Sequence, residues 1–126
     1  MSTVERWAEQ ARYDLETARA MLASSRYLYV IFCCQQAIEK VLKAIIVKQT
    51  QDSPPRLHNL LRLADIAGVV MGPDREEFVG ELSGYYVQTR YPEDIEPLEI
   101  ILNQETAAEV LQETEEVIQW LLSMLT

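Results

Sequence analysis

At 126 residues the chain is long enough for one hydrophobic core and too short for two, so a single domain spanning residues 1–126 is expected. Hydrophobic residues make up 48% and charged residues 25%, with four glycines and five prolines, which excludes a disordered chain, and no apolar run approaches the ~20 residues of a membrane span. The net charge of −9 argues against nucleic acid only until it is located: residues 93–126 carry nine acidic and no basic side chains, whereas residues 1–92 carry eleven of each.

Ser2, Thr3, Val4 and Glu5 have the S-x-x-E spacing of a capping box, in which side chains and backbone satisfy each other at a helix start. Val4, Ala8, Ala11, Leu15, Ala18 and Leu22 then step by four and three, one stripe of a first helix. A second helix is predicted from about Arg26 to Gln49, with apolar side chains over so much of its surface that it should lie centrally. Its remaining polar strip holds Gln36, Lys40 and Lys43, spaced to share a face. Glu39 and Lys43, four apart, read as a surface ion pair, which leaves Lys40 freer for a ligand. Asp52-Ser53-Pro54-Pro55 breaks the chain.

A short third helix carrying Leu57, Leu60, Leu61 and Ala64 should stop near Gly68. A fourth helix starts around Pro73, turns Phe78, Val79, Leu82, Tyr85 and Tyr86 inward, and ends between Val87 and Arg90, because Pro92 disfavours helical geometry at Tyr91. Residues 93–105 show no clean period and read as an apolar connector. The last helix is predicted to begin at Thr106, with a capping box to Glu109, and to run to Leu125. The expected architecture is therefore all-α, an antiparallel bundle of four long helices and a short one.

The chemical inventory is thin. One histidine and two adjacent cysteines make no zinc ligand set, and no glycine-rich phosphate loop or nucleophile elbow occurs, so neither a metal nor a cofactor is expected. Cys33 and Cys34, neighbours on a helix, cannot bridge without strain and read as core thiols of a reducing compartment; with no signal-peptide pattern at the start, the expected location is cytoplasmic. Between Lys40 and Leu63 the chain holds five basic side chains against Asp52 alone, and a polyanion would meet it there. His58, next to Arg56, suits a phosphate contact or proton transfer near neutral pH; it equally suits capping or packing its own helix start. Arg90 and Tyr91 suit a phosphate grip and a base stack, or else an ion pair to Glu93 or Asp94 and a bundle-closing ring. The acidic face of the last helix is either solvated or a docking surface for a basic partner.

Trp7, Ala11, Asp14-Leu15 and Ala18, the stretch Cys34-Gln35-Gln36-Ala37-Ile38-Glu39-Lys40-Val41-Leu42-Lys43-Ala44, His58-Asn59-Leu60, and Tyr85-Tyr86 with Thr89-Arg90-Tyr91-Pro92 together resemble the prokaryotic HEPN domain family. The resemblance implies an up-and-down four-helix bundle with a short additional helix, usually dimeric and often encoded beside a minimal nucleotidyltransferase in a toxin–antitoxin pair. Many relatives are metal-independent ribonucleases that use an Arg followed four to six residues later by a His. Here Arg90 is followed by Tyr91-Pro92-Glu93-Asp94-Ile95-Glu96-Pro97, and no His occurs after His58, so cleavage is not expected. The expected function is a noncatalytic homodimer that engages a nucleotide, RNA or its nucleotidyltransferase through Lys40, Lys43, His58, Arg90 and Tyr91. The alternatives are a ribonuclease toxin using Arg90 with a substitute base such as His58, and a structural dimer without ligand.

Overall fold

A computed structural model describes all 126 residues. Six α-helices follow one another: α1 Thr3–Ala23, α2 Tyr27–Thr50, α3 Leu60–Ala67, α4 Gly72–Gln88, α5 Pro92–Ile101 and α6 Gln104–Leu122, closed by a 3₁₀ turn at Ser123–Leu125. There is no strand, and no helix is long and apolar enough to cross a membrane. The all-α bundle expected from the periodicities is what forms.

Helix α2 is the axis of the molecule. Fifteen of its residues are buried, and it packs against α1, α3, α4 and α6. Helix α1 lays Ala8, Ala11, Leu15 and Ala18 against it, three small side chains in four that let the two backbones approach. Helix α6 closes the bundle with Ala107, Val110, Leu111, Thr114, Val117, Ile118 and Leu121. The caps follow the chemistry of orphan backbone donors. Ser2 Oγ accepts the Glu5 N–H at 3.1 Å, the side-chain cap of the expected capping box without the reciprocal bond from Glu5. Gly68, at φ +70°, ends α3 in the left-handed geometry that glycine adopts without a Cβ clash.

Three expected boundaries move. Residues 93–105 are not a connector: most of them form α5, whose Pro92 occupies a first-turn position. Pro97, inside that helix, lacks the N–H that would reach the carbonyl of Glu93. Leu98, fully buried, is the side chain that ties α5 to the core. Helix α6 starts two residues earlier than expected because Asn103, not Thr106, is its cap; Asn103 Oδ1 accepts the Thr106 N–H at 2.8 Å. Leu57 precedes α3 rather than belonging to it, since Asn59 caps that helix by accepting the Arg62 N–H at 3.0 Å.

Candidate functional site

The polar residues of α2 meet the segment leading into α3. Gln35, buried, donates its side-chain amide to the carbonyl of His58 at 2.8 Å. One turn further on, Glu39 lies beside the imidazole: His58 Nδ1 is 3.1 Å from Oε1 and 3.2 Å from Oε2. A carboxylate only accepts, so Nδ1 must carry the proton and, in the neutral ring, Nε2 keeps the lone pair. His58 is thus gripped at its backbone and at its ring by a single helix. Its side chain is 58% exposed while that of Glu39 is 5% exposed, so the outer edge of the imidazole faces solvent from a buried anchor.

Glu39 also receives the ammonium of Lys43, with Nζ 3.0 Å from Oε2. The surface ion pair expected at this spacing is in fact buried, and Lys43 lies 5.8 Å from the centre of the Trp7 ring. The reason is the width of the apolar surface of α2, which draws even its polar strip under α1 and the α3 approach. Lys40 turns the other way. Its Nζ is 2.7 Å from Asp14 Oδ2 of α1, a close ionic contact set outside hydrogen-bond geometry. The freedom anticipated for Lys40 is therefore absent, since the sequence-distant Asp14 occupies it.

Arg90 follows the end of α4 and makes no ion pair with Glu93 or Asp94. Its guanidinium lies 5.2 Å from the centre of the Tyr86 ring, which packs in turn against Phe32 of α2, ring centres 5.7 Å apart. Phe32 precedes Glu39 by seven residues, about 10 Å along the helix axis. Tyr91 is half exposed and caps α5 through its backbone alone. Within one chain, then, Lys43 and His58 are brought together on Glu39, Lys40 is held by Asp14, and Arg90 with Tyr91 stands about two helical turns away along α2. Gln35 is the site residue that spacing alone did not single out, and Glu39 was read only as the partner of Lys43, not of His58; the signal available was the place of both in the same i, i+4 row as Lys43.

Histidine capping of α3 is excluded by Asn59. Thiol chemistry is equally unsupported: Cys34 is fully buried and points toward Thr114 of α6, and burial pushes its thiol up to about 12, with the Thr114 hydroxyl opposing without offsetting the rise. Cys33 is also raised, by burial first and by Asp14 second. No group of three or more His, Cys, Asp or Glu side chains converges as a metal site would require.

A family model described as the HEPN domain matches residues 4–124. The crystal structure of TT1696 from Thermus thermophilus is similar to this chain, with 27% sequence identity, a TM-score of 0.83, and 98% of this chain and 99% of that chain covered. No curated protein matches.

Proposed function

This chain belongs to the HEPN domain family, and from that membership we propose that it is a cytoplasmic, noncatalytic nucleotide- or RNA-binding module that works as a homodimer beside a minimal nucleotidyltransferase, in a toxin–antitoxin pair. The observation that carries this reading is the imidazole of His58, clamped by Gln35 and Glu39 with its outer edge toward solvent within the basic segment. A phosphate oxygen meeting that edge finds a pre-oriented donor once the ring is protonated. Arg90, free of carboxylates, supplies the second anion contact, and Tyr91 beside it supplies an exposed ring. Lys40 and Lys43 enter the set already paired, with their charges compensated by Asp14 and Glu39.

Exposed Tyr29 and Phe32, 6.5 Å apart and continuous with Tyr86 and Arg90, form the face we assign to self-association. A dimer across it sets Arg90 of each chain near the junction of two sites. Titration with fluorescently labelled nucleotides and RNA tests the binding role. His58→Ala and Arg90→Ala should each weaken affinity about tenfold or more, roughly 1.4 kcal/mol, while Lys40→Ala changes it little. Unchanged affinity in both of the first two variants rejects the assignment, and a dimer by light scattering that is silent in every titration marks a structural role. Co-purification with the product of a neighbouring nucleotidyltransferase gene tests the partnership.

The Glu39–His58 pair favours one second reading. A buried carboxylate holding Nδ1 of an exposed imidazole is the arrangement of a general base. An RNA-cleavage assay decides it: activity that disappears in His58→Ala supports a ribonuclease, and no activity above that control ends the reading.

A further inference from the structure

Beside the histidine cluster, a groove of about 710 Å³ opens between the start of α1, the end of α2 and the loop that leads to α3. Trp7 lines it from α1, Lys43 and Val47 from α2, and Pro54, Pro55 and Arg56 from the loop. A flat ring entering from solvent therefore meets an indole on the helix side and two pyrrolidine rings on the loop side.

The charges around this slot are arranged for an anion. Lys43 is compensated by Glu39 and lies beside the Trp7 ring, which leaves Arg56 as the cation open to a ligand. Arg56 is exposed and belongs to none of the ion pairs of the molecule. The one carboxylate in the lining, Asp52, is engaged locally, with Oδ1 accepting the Ser53 N–H at 2.8 Å. The volume falls within the range of roughly 300–1,000 Å³ typical of small-molecule sites, which suits one nucleotide better than a strand.

We propose that this groove takes a single nucleoside monophosphate unit, free or at the end of an RNA, with its base stacked on Trp7 and its phosphate held by Arg56. The inference rests on the nucleotide reading above, because another aromatic anion would satisfy the same walls. It adds Trp7 and Arg56 to the binding residues and makes Lys43 the link, through Glu39, between the groove and His58.

The test uses AMP as the probe and the full chain in a Trp120→Phe background, so that Trp7 alone reports fluorescence. AMP should quench that fluorescence saturably. Adenosine, lacking the phosphate, and ribose 5-phosphate, lacking the base, should each bind about tenfold or more weaker. Arg56→Ala, an exposed position whose loss does not threaten folding, should weaken AMP by a similar factor. Trp7→Leu, checked by circular dichroism and titrated with labelled AMP, should lose affinity as well. AMP binding that is equal in wild type, Arg56→Ala and Trp7→Leu overturns the groove and leaves nucleotide binding at His58 and Arg90 intact. No AMP binding at all also overturns the groove, and the RNA titration of the preceding section then decides the broader reading on its own.

Discussion

Glu39 is the residue on which the site's geometry turns. Its buried carboxylate compensates the buried Lys43 ammonium and holds the His58 ring, so its removal leaves a cation without a partner in a poorly solvated place. Glu39→Ala should cost about 3–5 kcal/mol in urea unfolding, because breaking a buried pair strands the remaining charge, whereas Glu39→Leu combined with Lys43→Met should recover most of the loss. A single variant within about 1 kcal/mol of wild type would show that the pair is solvated after all. Cys34 gives a second residue-scale expectation with a definite sign. The native state holds the thiol proton up to about 12, while the unfolded chain releases it near the ordinary value of 9.0. Between those values the unfolded state binds fewer protons, so stability falls as pH rises, by roughly 1.4 kcal/mol per pH unit, and is undiminished below that window. Cys34→Ala should reduce this slope, leaving the smaller contribution of the Cys33 thiol, which burial also raises; an unaltered slope in that variant would assign it to other groups. Spacing alone could place Glu39 and Lys43 on one face but not under another segment. Likewise, nothing in the neighbourhood of Lys40 announces Asp14, which comes from a different helix.

At the scale of the elements, the helices with regular apolar steps were legible because burial on a helical face leaves a 3.6-residue signature, and α1, α2 and α4 lie within a few residues of where that signature puts them. The segment now seen as α5 was not, since one buried leucine in ten residues leaves no stripe and Pro97 reads as a breaker. It is helical because Pro92 and the acidic Glu93 and Asp94 favour the first turn, and because Leu98 finds the core. Its stability should then hang on that side chain. Leu98→Ala should cost about 2–5 kcal/mol and raise amide exchange in Pro92–Ile101 well before the rest of the bundle. Exchange that accelerates uniformly across all six helices would mean that α5 unfolds only with the core.

Over the whole molecule, the charge of −9 is segregated by helix rather than spread, and this segregation limits how a polyanion can approach. Helix α6 presents Glu105, Glu109, Glu113 and Glu116, and the mutual repulsion is visible at Glu113, whose carboxyl is raised by partial burial first and then by Glu116, Glu81 and Glu109. In the proposed role, a nucleic acid would meet least repulsion at the approach to α3, away from this acidic face. The basic stretch there is smaller in effect than its composition suggests. Lys40 and Lys43 are ion-paired and Lys48 donates to the carbonyl of Leu125 at 3.0 Å, so Arg56, Arg62 and Arg90 remain unengaged by protein oxygens. Each phosphate neutralised on a single strand contributes about −0.7 to the slope of log affinity against log salt. Three free arginines therefore predict a slope of about −2 for RNA, whereas full use of the basic segment together with Arg90 would give about −4. Measuring the slope for a single-stranded RNA across monovalent salt separates the two. A value near −4 would mean that the lysine pairs open on binding, and Lys40→Ala should then flatten the slope by about 0.7, an effect that the closed arrangement does not allow.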